Sequence, residues 1–379
     1  MARFLKNCWY AAMWSEALAG GELIARTLLG DPLVFFRDAA GCAVAMEDLC
    51  PHRLAPLRLG KLLHDGRIRC GYHGLEFDAV GQCVKNPHGS GRIPKNCRVR
   101  TYPLVEKHTL VWIWLGDGVP DEGLIPEFAY LDPGSGYDVG RRDAITMEAN
   151  YRAIIDNLMD LSHASFLHEG VLGNEETVWA EIAVRQEGQY VFVQRDMQNV
   201  SPPLVRDLLF RRDGAPVDIW QTIRWSAPGA VLNDVGTYAT GTDRGDFSGQ
   251  LGCHILTPIT ADTTQYLTAA ARQGPLSASP AEGDEVFKAR IAELRRFAFK
   301  EQDDPMLKAQ QENFRRYPDR QPVLLEIDAG PVRCQRILDR LLIAEQEGAA
   351  VATQPPGSDA GSDQDRQHQR LQPLRTPTP

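Results

Sequence analysis

Two tight Cys–His pairs constrain the first third of this chain more than any other feature. Cys50-Pro51-His52 and Cys70-Gly71-Tyr72-His73 stand 17 residues apart, in the pattern C-x-H-x17-C-x-x-H. Two thiolates and two imidazoles form a soft donor set. A four-coordinate zinc accepts it. So does a 2Fe–2S cluster in which one iron takes both cysteines and the other both histidines. The surrounding residues favour the cluster. Pro51, Pro56 and Gly60 flank the first pair, and Gly71 and Gly74 the second. Glycines let backbone N–H groups approach bridging sulfides closely, and Tyr72 can add a hydroxyl donor near a sulfur. Short apolar runs separated by turns lie around both pairs: residues 33–37 and 42–47 about the turn Asp38-Ala39-Ala40-Gly41, then 67–70, 75–77 and 110–115. The last carries Trp112 and Trp114 on one face. This pattern predicts a small all-β domain over residues 1–118.

A second set of metal-ligand residues follows, in Asp156-Asn157-Leu158-Met159-Asp160-Leu161-Ser162-His163-Ala164-Ser165-Phe166-Leu167-His168. The apolar stripe Ile154, Leu158 and Leu161 predicts a helix over residues 151–168. Asp156, Asp160 and His163 then share one helix face. His163 and His168 are about 500° apart around an ideal helix, so their rings meet only if the helix loosens or ends between them. Ser162 and Ser165 tolerate such a break. Two imidazoles and one carboxylate on one face of an iron form the facial triad of non-haem Fe(II) oxygenases. The carboxylate has to come from elsewhere. Lys300-Glu301-Gln302-Asp303-Asp304-Pro305 offers two, in a turn that Pro305 distorts; helix geometry alone leaves Asp303 and Asp304 both open. Strands at 190–194 and 266–270 and helices over 284–316 and from Gly330-Pro331 complete a mixed second unit.

The remaining composition narrows the setting. The chain has 379 residues, enough for two domains, and 41 basic against 50 acidic residues, a formal charge of −9. With no Lys/Arg-rich run, that balance argues against nucleic acid as a partner. No apolar run is long enough for a membrane span, and the start lacks the pattern of a secretory signal. A cytoplasmic location is expected, where the eight cysteines stay reduced and serve as core residues or ligands. No glycine fingerprint for flavin or nicotinamide occurs, so electrons are expected from a partner protein. From Gly348 onward the chain has almost nothing to bury, and a disordered tail over 348–379 is expected.

Cys50-Pro51-His52-Arg53, Pro56-Leu57, Gly60 and Cys70-Gly71-Tyr72-His73-Gly74 resemble the Rieske domain of aromatic-ring oxygenases. From Asn7-Cys8-Trp9-Tyr10 to Ala344-Glu345-Gln346-Glu347 the chain is similar to the α (oxygenase) subunits of Rieske non-haem iron oxygenases. Within them it is most similar to vanillate O-demethylase oxygenase components, with dicamba and toluenesulfonate enzymes as relatives. Asn157-Leu158-Met159-Asp160-Leu161, Met306-Leu307-Lys308-Ala309-Gln310-Gln311, Tyr317-Pro318-Asp319-Arg320-Gln321 and Ile327-Asp328-Ala329-Gly330 carry this likeness.

The resemblance implies an α+β chain: an N-terminal all-β Rieske domain, then a catalytic domain over 119–347 with an antiparallel sheet wrapped around helices (helix-grip, START-like). It implies a Rieske 2Fe–2S cluster on Cys50, His52, Cys70 and His73, and a mononuclear Fe(II) on His163, His168 and Asp303, the last selected by counting back from Gln310-Gln311. Asp160 falls on the residue that links the Rieske histidine of one subunit, here His73, to the iron-site histidine of its neighbour, here His163, in a homotrimer. Asn157 matches a polar residue near the iron, and Asn233 and His254 match substrate-contacting positions. Arg224 is a further candidate for an acidic substrate. The implied activity is O-demethylation of a methoxylated, vanillate-like aromatic acid, with O2 and a flavin/ferredoxin-type NAD(P)H-dependent reductase. Rival readings are hydroxylation of a methyl or ring carbon, a Rieske electron carrier without mononuclear iron, and a zinc-stabilised binding module.

Overall fold

A computed structural model describes residues 4–244, 246–273 and 283–348; the tail expected beyond Gly348 lies outside the described residues. Three small antiparallel sheets build the first third. Trp9–Trp14, Leu110–Trp114 and Leu104–Lys107 form one. Ile24–Leu28, Asp31–Arg37, Ala43–Glu47 and Thr101–Tyr102 form the second. Lys61–Leu62, Ile68–Arg69, Glu76–Phe77 and Cys83–Lys85 form the third. The hairpin expected around residues 38–41 is present, with Leu33 opposite Glu47 and Arg37 opposite Ala43. Its turn is closed by Asp38, whose Oδ1 accepts from the amides of Ala40 and Cys42, each at 2.9 Å.

The second unit is an eight-stranded antiparallel sheet. Its order is Asp138–Val139, Thr264–Gln273, Phe247–Pro258, Ala230–Ala239, Val217–Ser226, Tyr190–Val200 and Ile182–Glu187, with Asp143–Met147 also paired to Thr264–Gln273. Five α-helices accompany it: α1 (Tyr151–Met159), α2 (Leu204–Leu209), α3 (Asp284–Phe297), α4 (Asp304–Arg316) and α5 (Ala329–Gln346). One face of the sheet grips α1 and α5. Ile154, Ile155 and Leu158 of α1 and Ile337, Leu338 and Leu341 of α5 share a core with Val191, Val193, Ile223 and Leu256. This is the expected α+β arrangement. Among the described residues, no helix is long and apolar enough to cross a membrane.

The other face of the sheet carries the N-terminal unit. Trp9, Trp14, Trp112 and Trp114 pack with Cys253, Ile255, Leu267 and Ala269. Burying an aromatic ring of this size contributes, as an upper value, about 4–6 kcal/mol of transfer free energy. Polar bonds fix the docking: Trp14 Nε1 donates to the Asp143 carbonyl at 3.0 Å and Thr257 Oγ1 to the Ala11 carbonyl at 2.8 Å. The segment before the first strand is tied to α5 as well. The amides of Lys6 and Asn7 donate to the Glu345 carboxylate of α5 at 3.0 and 2.6 Å.

Two helices depart from the sequence expectation. The helix expected over 151–168 is only α1, and a 3-10 turn at His163–Ser165 follows it. Asp160 breaks it: its backbone is extended, and its Oδ1 accepts from the Ser162 amide at 2.8 Å and the Ser162 hydroxyl at 2.5 Å, a turn-forming use of aspartate. The region over 284–316 is α3 and α4 joined by a π-helical segment, Ala298–Asp303. Pro305 sits in the first turn of α4, where its missing N–H is tolerated.

Candidate metal centres

The two Cys–His loops have one backbone design. Cys50 N donates to Ala55 O and Leu54 N to Cys50 O, at 2.9 and 2.8 Å; Cys70 N donates to Leu75 O and Gly74 N to Cys70 O, at 2.8 and 3.0 Å. The fifth residue of each is left-handed, Leu54 at φ +54° and Gly74 at φ +69°. The loops are pressed together: a Cβ on Gly71 would lie 2.5 Å from the Leu59 carbonyl oxygen. Each loop buries its cysteine, 2% exposed in both cases, while the rings of His52 and His73 lie outward with centroids 4.5 Å apart. Thiols inside and imidazoles outside is the division a 2Fe–2S cluster needs, with one iron to each donor type. Among the described residues, the ligand atoms of the quartet do not converge within 4.8 Å of one another as the His163, His168 and Asp303 atoms do, and a single ion requires such convergence. His88 Nε2 lies 2.8 Å from the His73 carbonyl oxygen and braces that loop. Tyr72 departs from expectation: it is 60% exposed and its ring lies against His73 at 3.9 Å, with no hydrogen bond to a sulfur among the described residues. Gly71→Ala is expected to destabilise the N-terminal unit by about 2–3 kcal/mol, read as a lower melting temperature and less 2Fe–2S absorption per chain.

His163, His168 and Asp303 come together, their ligand atoms within 4.8 Å of one another. The break after α1 achieves this, since the histidines leave the helix before either is reached. Asp303 Oδ1 lies 3.2 Å from His168 Nε2 and 3.8 Å from His163 Nε2. The far nitrogens have acceptors: His163 Nδ1 donates to the Asp160 carbonyl at 2.5 Å and His168 Nδ1 to Gln302 Oε1 at 2.9 Å. Those bonds leave both Nε2 lone pairs aimed at the carboxylate. Converging acceptors need a cation among them, either a proton shared between His168 and Asp303 or a metal ion, and the donor set fits a 2-His-1-carboxylate iron.

The π-helical segment decides between the two aspartates. Its extra residue per turn turns Gln302 and Asp303 toward the histidines, while Asp304 bonds Lys300 and accepts from the Glu148 amide at 2.7 Å. Asn157 Nδ2 donates to Asp303 Oδ1 at 3.0 Å. The buried Arg195 holds the histidine loop in place through the Leu161 carbonyl at 2.7 Å and Ser165 Oγ at 3.2 Å. Burial pushes the His163 pKa down. Burial has the same tendency at His168, but the Asp303 hydrogen bond and charge, with Gln302, outweigh it and raise that pKa. Asp156 takes no part. It lies against α5, accepting from Gln335 Nε2 at 2.6 Å, and burial pushes its carboxyl up to about 6. The Asp160 carboxylate lies near His163 without bonding it, Oδ2 standing 3.9 Å from Nδ1.

The triad opens on a cavity of about 120 Å³ that Asn233 and His254 also line. His254 is buried, with Nδ1 2.6 Å from the Tyr266 hydroxyl. Burial lowers its pKa to about 3, so it is neutral at physiological pH. The unfolded chain takes up this proton below about pH 6.5 and the native state does not. Stability is therefore present above that pH and lost as pH falls. His254→Gln is expected to relieve about 1 kcal/mol of that loss per pH unit between about pH 6 and 4, read by denaturant unfolding of variant and wild type. Arg224 does not reach the cavity. Strand alternation turns Gln221 and Ile223 inward and Arg224 outward, over the Tyr190 ring. Sequence alone points to neither Arg195, which lies in a strand, nor Gln302, whose stretch stands out only for its carboxylates.

A "Rieske [2Fe-2S] domain" model matches residues 8–103, and a "Vanillate O-demethylase oxygenase C-terminal domain" model matches residues 147–344. The chain is 34% identical over 353 residues to the chloroacetanilide N-alkylformylase oxygenase component of Rhizorhabdus wittichii, covering 92% of this chain and 99% of the relative. It is 35% identical over 361 residues to the vanillate O-demethylase oxygenase subunit of a Pseudomonas species, covering 92% and 98%. Among solved structures, dicamba monooxygenase bound to 3,6-dichlorosalicylic acid superposes with a TM-score of 0.84 at 32% identity, covering 91% of this chain and 99% of that one.

Proposed function

The chain belongs to the Rieske non-haem iron oxygenases as an oxygenase component, and from that premise we propose that it O-demethylates a methoxylated aromatic acid of the vanillate type. The overall conversion is ArOCH3 + O2 + 2 e⁻ + 2 H⁺ giving ArOH, formaldehyde and water. The observation that carries this reading is the His163–His168–Asp303 triad facing a largely apolar cavity, in a chain that also holds the Cys–His quartet. When bound, the two metal groups would supply single electrons and activation of O2.

The protein's own residues then have separate tasks. Cys50, His52, Cys70 and His73 hold the cluster; His163, His168 and Asp303 hold the iron. Asn157 orients the Asp303 carboxylate by its hydrogen bond. Apolar side chains such as Ile219, Ile223, Val231 and Ile291 line the cavity, flank an aromatic ring and exclude water. With the Tyr266 hydroxyl donating to His254 Nδ1, His254 offers Nε2–H, and Asn233 its amide, to polar substituents. The division at residue 118 belongs to this proposal, as does a homotrimer in which the part-exposed Asp160 carboxylate of one subunit meets the part-exposed His73 of the next. Electrons come from a separate flavin/ferredoxin-type NAD(P)H-dependent reductase.

The test is a coupled assay of purified protein with a generic reductase and a panel of methoxybenzoates. Formaldehyde released with the matching phenol supports the reading. A hydroxylated product that keeps its methoxy group, without formaldehyde, overturns it in favour of carbon hydroxylation.

A further inference from the structure

We propose that Arg206 is the anchor for the anionic group of the substrate, a specificity-determining residue for carboxylate-bearing rings. The inference rests on the reading of the substrate as an aromatic acid. Three arginines line the cavity that holds the triad: Arg195, Arg206 and Arg295. Two are occupied. Arg195 bonds the Leu161 carbonyl and Ser165. Arg295 bonds the Arg141 carbonyl at 3.0 Å and the Asp143 carboxylate at 3.3 Å. The Arg206 side chain is only 9% exposed, and among the described residues it has no hydrogen-bond or ion-pair partner.

A guanidinium so placed stays charged. Burial lowers its pKa to about 10, still well above neutrality. A buried charge without a partner is costly, and this residue lines the space a ligand fills. The group that complements it is a planar anion able to accept two parallel N–H bonds, which a carboxylate is. Arg206 is also fixed relative to the triad. It lies on α2, whose Leu204 and Val205 amides donate to the carbonyls of Gly170 and Val171 at 3.0 and 3.1 Å, two and three residues beyond His168. Val205 and Leu209 pack on Phe287 and Ile291 of α3. A carboxylate held there sets which edge of the ring meets the triad.

The experiment measures binding of vanillate and of its neutral amide, vanillamide, to the holoenzyme by calorimetry, with formaldehyde release followed in parallel. Wild type is expected to bind vanillate at least about tenfold more tightly than the amide. Arg206→Met is expected to abolish that preference by weakening vanillate alone, and Arg206→Lys to retain part of it. Preference undiminished in Arg206→Met, or wild type that binds acid and amide alike or neither, overturns the proposal. The wild-type arm and the Lys variant keep the test decisive if the Met variant does not fold. Charge preference at Arg206 without formaldehyde would sink the demethylase reading alone; formaldehyde without charge preference would sink Arg206 alone.

Discussion

Asp303→Asn is expected to strip the mononuclear iron from the protein while leaving the 2Fe–2S cluster in place. The carboxylate is 2% exposed and lies 3.2 Å from His168 Nε2. It is the only anion among the three converging donors. An amide keeps the shape and loses the charge, and its NH2 group can turn a donor toward the metal. Groups that only support a ligand are worth about 10–100-fold in metal affinity, so loss of a charged ligand is expected to cost at least about 10²-fold. Metal analysis with the visible spectrum reads the two centres separately. Asp304→Asn is the internal control, because that carboxylate serves Lys300 and the Glu148 amide. An Asp303 variant that retains the lone iron and its turnover would refute the ligand assignment.

Asp160→Asn is expected to keep both metal centres and lower turnover by about 10²–10³-fold, the scale of losing one electrostatic partner in an active site. The contacts explain why the damage is selective. His163 bonds the Asp160 backbone carbonyl, which the substitution does not touch, so the ring stays aligned. The turn also survives, since an asparagine Oδ1 can accept from the Ser162 amide and hydroxyl as the aspartate does. What disappears is a charge 3.9 Å from His163 Nδ1, at the point where the neighbour's His73 is proposed to arrive. Reoxidation of the reduced cluster in a single turnover with O2 and substrate is the direct readout. Wild-type rates in that experiment would remove Asp160 from the electron path.

Much of this was legible in the sequence where chemistry is local. The Cys–His quartet can be read because each pair sits in one short loop, and the tryptophan face of residues 110–115 because strand alternation is regular. The end of α1 was not legible. Leu161 continues the apolar stripe and is itself buried, so the periodicity runs on past a helix that has already stopped. Asp156 looked like part of the ligand face for the same reason. The choice between Asp303 and Asp304 depends on a π-helical segment, a change in backbone hydrogen bonding that no side-chain pattern announces. Only the family likeness picked the carboxylate that faces the histidines. Arg206 was hidden among Asp207, Arg211, Arg212 and Asp213, a run that reads as solvated surface until the fold turns one of its members inward.

The Glu345 grip on the amides of Lys6 and Asn7 closes the stretch between residues 6 and 345 into a loop. A protease nick at an exposed bend between these points would leave two pieces still stapled to each other. Removing α5, by contrast, would release the segment at Lys6 and Asn7 that leads into the strand of Trp9 and Trp14, leaving that strand to its own packing on the sheet. The electron-carrying module is therefore no detachable cartridge: the catalytic unit holds it both through the tryptophan face and through the last turns of α5.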